Sequence, residues 1–262
     1  MEQSSQPLFD WPNRIRYRAA AVLAAALLGM AGAAKFATAA TFTVDPTQIF
    51  ISGRTGSTLL TLRNESTDAI RFQLSVFAWD QSVSGEMKLE ATDDIVFFPS
   101  LLTLGPGETR RVRVGLATKL GAVEKTYRIF VEELPPADPS TSGVRVLTKM
   151  GIPIFLRPPK EQASAALSGL GREENRFRFT LANTGTVHFV PQEITVRGVA
   201  GSDAAFTQQL QGWYVLAGGR REFDMALPDT QCAQLTAIIV DIRLGSSTLQ
   251  ERLQTPGGVC PR

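Results

Sequence analysis

The chain has 262 residues, of which 44% are hydrophobic and 20% are charged. This length is enough for two ordinary domains, and the composition predicts a buried core and excludes a disordered chain. The 27 Lys and Arg residues against 25 Asp and Glu residues give a formal net charge of +2. The charge balance therefore does not favour nucleic acid or an anionic membrane as a partner.

The first 39 residues are typical of a secretory signal. Arg14, Arg16 and Arg18 precede the apolar run Ala19–Ala34, and Ala37-Thr38-Ala39 has the small-residue pattern of a cleavage site. The apolar run is shorter than the roughly 20 residues that a membrane span requires. Cleavage after residue 39 would remove four of the 27 basic and two of the 25 acidic residues, leaving 23 of each. We therefore predict an exported chain that has no net charge and no membrane anchor once the signal is removed; retention of this segment as an uncleaved anchor is the alternative.

From residue 40 to the double proline Pro158-Pro159 the sequence has the pattern of seven short β-strands. Apolar and polar residues alternate, and turns rich in Gly, Pro and Asn separate the runs. Seven strands in about 115 residues predict an immunoglobulin-like sandwich. The predicted runs are Thr41–Ile51, Ser57–Arg63, Ile70–Trp79, Val96–Phe98, Thr109–Leu116, Tyr127–Leu134 and a strand within Gly143–Pro159.

The second half repeats this pattern. The run Phe177–Leu181 leads to Asn183, as the earlier run leads to Asn64, and the turn Leu216–Arg220 resembles the turn Leu104–Glu108. Ala237–Leu244 and Thr248–Leu253 have the pattern of a closing hairpin. We therefore predict an all-β fold of two immunoglobulin-like sandwiches, an N-terminal domain over residues 40–158 and a C-terminal domain over residues 159–262.

The strand within Gly143–Pro159 carries a continuous apolar row. Val144, Val146, Thr148 and Met150 fall on one face, followed by Ile152 and Ile154, because side chains alternate along a strand. Pro153 has no N–H to donate, which places this strand at the edge of a sheet. A long apolar edge is normally an aggregation hazard, so we predict that this edge is kept open to be lent to another protein.

The sequence offers little from which to build an active site. It has one histidine, His188, and no metal-binding or nucleophile motif, while the paired acids Asp93-Asp94 and Glu132-Glu133 point to opposite faces of a strand. We predict that the chain is not an enzyme and has no metal or cofactor; a hydrolase using Asp93, Glu132 or His188 is the enzymatic alternative.

The only cysteines are Cys232 and Cys260. In an exported chain two cysteines most simply form a disulfide, which would stabilise the domain by roughly 3 kcal/mol. Free thiols are the alternative.

Four stretches, in this order and spacing, resemble the periplasmic chaperones of chaperone–usher pilus assembly. They are Thr58–Asn64, Phe97–Val114, Glu124–Pro136 and Ile152–Pro159. The resemblance implies two immunoglobulin-like domains set at an angle, and a location in the periplasm. It also implies two partners: pilus subunits that lack their final strand, and an outer-membrane usher that receives them.

The resemblance assigns roles to particular positions. Val144, Val146, Thr148 and Met150 would fill the groove of the subunit, whereas Ile152 and Ile154 would belong to the chaperone's own core. Glu124, Arg157 and Asp241 match a charged cluster that links the two domains of the family; ordinary surface charges are the alternative.

The sequence also departs from the best-studied members. Their cleft holds a basic pair that binds the subunit's terminal carboxylate, and Gln48 and Pro153 stand at those positions here. Phe130 replaces a usual asparagine, so the chain resembles the divergent, archaic-type branch. Arg128 and Lys149 are the candidates for the carboxylate anchor, since arginine can bind a carboxylate through two hydrogen bonds. Ordinary exposed basic residues are the alternative.

A second hypothesis comes from a different class of protein, a structural or adhesive surface protein built of two sandwiches. A free apolar edge also makes a self-dimer through this strand plausible.

Overall fold

The computed structural model describes residues 41–53, 55–136, 146–173, 175–228 and 234–255. The predicted signal, Val144 and both predicted disulfide cysteines, Cys232 and Cys260, lie outside these residues and stay predictions. The secondary structure elements in the described ranges are all β-strands. None of these ranges contains a helix that is long and apolar enough to cross a bilayer.

Ten strands form the first sandwich. They are β1 (Phe42–Asp45), β2 (Ile49–Ile51), β3 (Ser57–Asn64), β4 (Ile70–Gln81), β5 (Met87–Ala91), β6 (Ile95–Phe98), β7 (Leu101–Leu104), β8 (Thr109–Leu116), β9 (Lys125–Leu134) and β10 (Lys149–Leu156). One sheet has the order β1-β3-β8-β6; the other has the order β2-β10-β9-β4-β5, with β7 also paired to β4.

The prediction of seven strands in this half was too low. The run Thr41–Ile51 is two strands, separated around Pro46, and they join different sheets. β5 and β7 were not predicted; β5 is exposed along its whole length, so its sequence shows no alternation of buried and exposed residues.

Seven strands form the second sandwich. They are β11 (Ala165–Glu173), β12 (Arg176–Asn183), β13 (Glu193–Ala200), β14 (Asp203–Leu210), β15 (Arg220–Ala226), β16 (Ala237–Leu244) and β17 (Ser247–Gln254). Their sheets have the orders β11-β12-β15 and β14-β13-β16-β17.

Each sandwich has its own apolar core. In the first, alternating side chains of both sheets meet around Phe72, Leu60 and Ile129, all with no exposed surface. In the second, Phe177 and Val196 occupy the corresponding centre. A third, smaller cluster of Trp79, Phe155 and Leu216 joins residues of both sandwiches.

The repeated turn predicted from the sequence has the same construction in both sandwiches. Asn64 at the end of β3 is fully buried and its Nδ2 donates to the carbonyls of Leu104 and Gly105, each at 3.0 Å. Asn183 at the end of β12 is also buried, at 3% exposure, and its Nδ2 donates to the carbonyl of Val215 at 3.0 Å. The two asparagines thus tie the end of one strand to the backbone carbonyls of a distant turn, where Gly105 and Val215 each also accept a backbone N–H.

Candidate functional site

β10 is paired along its whole length on one side and only at its end on the other. All eight of its residues, Lys149–Leu156, pair antiparallel with β9. On the opposite side β2 pairs in parallel with the last three, Ile154–Leu156. No described strand pairs with the outer edge of residues 149–153.

The backbone bonds show which amides face this edge. The Glu133 amide donates to the Thr148 carbonyl at 2.9 Å, so the even-numbered residues that follow bond to β9. The N–H groups of Lys149 and Gly151 therefore point outward, away from β9. Pro153 lies at the next outward position, where its missing N–H costs no bond within the sheet.

The structure places the predicted donor residues on both sides of the start of β10. Val146 is 58% exposed and, like Thr148, precedes the strand, which begins at Lys149. Met150 is half-buried and packs against the core of the first sandwich. Ile152 and Ile154 are fully part of that core, at 1% and 0% exposure.

Arg128 lies on the opposite face of this sheet, in the cleft between the two sandwiches. It is directly across from Pro153 on β10, so both side chains leave the sheet on the same face. Its guanidinium carbon lies 4.3 Å from the ring centre of Trp79, and 5.3 Å from that of Trp213 in the second sandwich. These distances are those of cation–π contacts.

The charge of Arg128 has no anionic partner among the described residues. The side chain is 9% exposed and its Nε is buried without a hydrogen bond to any described group. Burial lowers the pKa of the guanidinium from its ordinary value, while Tyr214 acts in the opposite direction. A buried cation is costly unless an anion or several acceptors compensate it, so this position favours binding of an anion.

Lys149 is placed differently. Its Nζ lies 2.8 Å from Glu132 Oε2 and 5.2 Å from the ring centre of Phe130, and its side chain is 53% exposed. Lys149 thus already has a carboxylate partner at the surface. Of the two predicted anchors, only Arg128 offers an unpaired cation.

The two positions that hold cations in the best-studied members are accounted for here. Gln48 Nε2 donates to the Tyr214 hydroxyl at 2.6 Å, which ties the first sandwich to the second. Pro153 stands directly across from Arg128, and Gly151 lets Phe130 and Arg128 approach β10 closely, because a Cβ there would lie 2.8 Å from Phe130 Cε1 and 3.4 Å from Arg128 Nη1.

The predicted cluster of Glu124, Arg157 and Asp241 is not assembled. Glu124 contacts the second sandwich through His188. Arg157 pairs with Glu161 at 3.0 Å. Asp241 pairs at 2.8 Å with Arg197 on the neighbouring strand β13, because the register of β16 places these two side chains on one face of the second sandwich.

Sequence reasoning missed the residue that Glu124 does contact. His188 Nδ1 lies 2.5 Å from Glu124 Oε1, the Glu124 side chain is fully buried, and the imidazole stacks on Phe155 with ring centres 3.7 Å apart. The backbone adds a bond of 2.9 Å from the Glu124 amide to the Thr186 carbonyl. A single histidine after a polar turn carries no pattern from which this contact could be predicted.

Two joined β-sandwiches, the first with an incompletely paired edge strand, are the architecture of a two-domain immunoglobulin-like protein. Residues 41–162 match the profile of the pili and flagellar-assembly chaperones, PapD N-terminal domain. This part of the chain is a domain of that family, which confirms the resemblance predicted from the sequence. Because the family consists of assembly chaperones, the prediction of a non-enzymatic protein is also confirmed.

Solved structures show the same overall fold. The class 5 fimbriae chaperone CfaA is 15% identical with a TM-score of 0.56, covering 82% of this chain and 100% of that one. The CsuC–CsuE chaperone–tip adhesion subunit complex, from archaic Csu pili of Acinetobacter baumannii, is 18% identical with a TM-score of 0.56. The match covers 81% of this chain and 97% of that one. The E. coli chaperone DraB is 16% identical with a TM-score of 0.52, and the match covers 83% of this chain and 98% of that one. At these identities the likeness is one of fold, and it confirms the two-domain all-β prediction. Comparison with curated protein sequences gave no match.

Proposed function

We propose that this chain is a periplasmic chaperone that lends the free edge of β10 to an incomplete pilus subunit. The observation that carries the proposal is the pairing of β10, which leaves the outward amides of Lys149 and Gly151 without a described strand partner. A subunit strand that pairs there would continue the sheet β10-β9-β4-β5 by one strand.

The same proposal gives the exposed side chain of Val146 a partner. By alternation along the sequence, Val146 and Thr148 would share the face of Met150, which Ile152 and Ile154 extend into the chaperone's core; Val144, outside the described residues, is predicted to continue this row. A subunit that lacks its last strand has an open apolar groove. Inserting this row would therefore give chaperone and subunit one continuous apolar core.

Arg128 is the proposed anchor for the terminal carboxylate of the subunit. It lies on the cleft face, one strand from the free edge and directly across from Pro153. In this proposal Arg128 on the neighbouring strand β9 supplies the cation that position 153 of β10 lacks. A carboxylate that reaches the guanidinium would form charge-assisted hydrogen bonds in a partly buried site, where they are strongest.

Delivery of the bound subunit to an outer-membrane usher completes the proposed role. The exposed edge would also allow two free copies to pair through β10 until a subunit binds, because unpaired edge amides accept any compatible strand. Both steps need only the exchange of one strand for another, without a cofactor.

The edge is tested by co-expressing the chain with its cognate pilus subunit and replacing Val146 by Asp. We expect the yield of soluble complex to fall at least tenfold, because a buried unpaired charge is strongly unfavourable. Val190→Asp, an exposed valine of the second sandwich, is the control. An undiminished yield with Val146→Asp would contradict strand donation and favour the structural or adhesive protein.

The anchor is tested with the C-terminal peptide of that subunit, carrying either a free carboxylate or an amide. We expect Arg128→Met to weaken binding of the free peptide by about tenfold to a hundredfold, the range of a charge-assisted hydrogen bond. The amide should bind weakly to both forms, and Lys149→Ala should change neither. Equal binding of acid and amide to the unmodified chain would show that Arg128 is not the anchor.

A further inference from the structure

Trp213 of the second sandwich contacts the arginine of the first sandwich that is the proposed carboxylate anchor. It lies in the segment between β14 and β15. Its ring centre is 5.3 Å from the guanidinium carbon of Arg128, on β9, and 6.1 Å from the ring centre of Trp79, on β4. The guanidinium therefore has one aromatic ring from each sandwich beside it. Strand donation as proposed above does not use Trp213.

The segment that carries Trp213 is held in place on both sides of the tryptophan. Gly212 packs closely on Pro191, since a Cβ at position 212 would lie 2.7 Å from the Pro191 carbonyl oxygen. The Val215 amide donates to the Phe189 carbonyl at 2.9 Å, and the Phe189 amide donates to the Val215 carbonyl at 3.2 Å. The backbone on either side thus fixes where the Trp213 ring enters the cleft.

The two rings compensate the buried charge of Arg128 and leave its hydrogen-bonding groups for a ligand. Arg128 is 9% exposed and has no anionic partner among the described residues. A cation that loses its hydration needs another favourable contact, and aromatic rings supply one. Because a cation–π contact does not require the N–H groups in the guanidinium plane, these can still bind a carboxylate. An arginine that is already held also loses less rotamer freedom when the carboxylate binds.

We propose that Trp213 is a positioning residue, which holds the Arg128 guanidinium against Trp79 so that the anchor meets the subunit's carboxylate in one conformation. This inference rests on the proposed function, in which Arg128 binds that carboxylate. It adds that the anchor is complete only while the two sandwiches lie together, because Arg128 and Trp79 belong to the first and Trp213 to the second. Separation of the sandwiches would leave Arg128 with one ring and weaken its hold on the carboxylate.

The test uses the mature chain and a synthetic peptide with the C-terminal sequence of the cognate pilus subunit, ending in either a free carboxylate or an amide. A length of about ten residues allows the peptide to pair along β10 and reach the cleft. The measured quantity is the dissociation constant of the amide divided by that of the acid, because this ratio reports the carboxylate contact alone.

We expect Trp213→Leu to lower this ratio by about threefold to tenfold, the range of a partly desolvated cation–π contact. Trp213→Tyr keeps an aromatic ring and should restore most of the ratio. In an Arg128→Met background, Trp213→Leu should change neither dissociation constant, since Trp213 acts only through Arg128. Trp213 lies outside the apolar cores of both sandwiches, so these variants should remain folded.

Phe206→Leu is the matched control, because it also replaces a half-buried aromatic side chain of the second sandwich, and it should leave the ratio unchanged. An unchanged ratio with Trp213→Leu would overturn the inference and leave the proposed function standing. So would an equal loss for acid and amide, or a further loss in the Arg128→Met background, since Trp213 would then act on the peptide or the fold directly. Equal binding of acid and amide to the unmodified chain would instead remove the carboxylate anchor, and the role of Trp213 with it.

Discussion

The buried asparagine at the end of β3 illustrates how one side chain fixes a turn. Asn64 Nδ2 donates to the carbonyls of Asp68, Leu104 and Gly105, and its Oδ1 accepts from the Ser66 amide at 2.8 Å. An aspartate of the same shape could accept but could not donate to the three carbonyls. The side chain therefore acts through its donor group and not through its volume.

We predict that Asn64→Ala and Asn64→Asp each lower the free energy of unfolding of the first sandwich by roughly 3 kcal/mol, because buried carbonyls lose their donor. Urea denaturation measures the change, with Gln73→Ala, an exposed site on β4, as the control. Asn183→Ala should destabilise the second sandwich instead. A large loss for alanine but none for aspartate would indicate that only packing matters.

At the same scale, the sequence pointed to some functional residues and not to others. The two Asn turns were recognisable because the same pattern occurs twice in one chain. Arg128 was a candidate because a cation was missing from two expected positions. The lack of an anionic partner for it, and the pairing of Lys149 with Glu132, depend on side-chain conformations that the order of residues does not determine.

At the scale of the element, β10 combines a closed side with an open one. The alternation of backbone bonds means that changes at neighbouring positions should have opposite consequences. The amide of Met150 bonds to β9, whereas that of Lys149 faces the free edge. A proline introduced at position 150 should therefore mainly lower stability, whereas a proline introduced at position 149 should mainly weaken binding of the pilus subunit.

We predict that Met150→Pro costs about 3 kcal/mol of stability, since it removes a ladder hydrogen bond and part of a packed side chain. Lys149→Pro should cost less than about 1 kcal/mol, because it removes only an outward amide and a surface ion pair. Lys149→Pro should nevertheless weaken capture of the pilus subunit, whereas Lys149→Ala, which keeps the amide, should not. Urea denaturation and co-purification give the two measurements; unchanged capture with Lys149→Pro would contradict pairing at this edge.

Elements with a clear alternation of apolar and polar residues were predictable, and the others were not. β3, β8 and β9 have this alternation, and their predicted runs agree with the observed strands to within two residues at each end. β5 lacks it because both of its faces are exposed, and β14 is mostly exposed as well. Such strands are held by their backbone pairing to a neighbour, which local sequence does not encode.

At the scale of the whole molecule, the two sandwiches are joined by contacts that no sequence pattern predicted. Besides the pair of Glu124 and His188, the Glu222 amide donates to the Val83 carbonyl at 2.8 Å, so the tip of the β4–β5 hairpin contacts β15. Trp79 and Phe155 add an apolar contact with Leu216. The family resemblance predicted a charged joint, but the joint is an acid–histidine pair stacked on an aromatic ring.

This joint allows a prediction about the whole molecule. His188→Phe keeps a ring that can stack on Phe155 but leaves the buried Glu124 carboxylate without its side-chain partner, which should cost roughly 3 kcal/mol. Glu124→Gln keeps an acceptor for the imidazole and should cost less than about 1 kcal/mol. Small-angle scattering should show a broader range of interdomain arrangements for His188→Phe than for Glu124→Gln.

Combining His188→Phe with Glu124→Leu removes both polar groups at once. We expect the double variant to be more stable than the sum of the single changes predicts, by about 1–3 kcal/mol, because neither group is then left buried and unpaired. Urea denaturation of the unmodified chain, the two single variants His188→Phe and Glu124→Leu, and the double variant measures this coupling. The same four proteins can be compared for capture of the pilus subunit. Additive effects would mean that the two side chains do not act as a pair, and the joint between the sandwiches would then depend on the aromatic cluster and on the other hydrogen bonds, such as those of Gln48 with Tyr214 and of Glu222 with Val83.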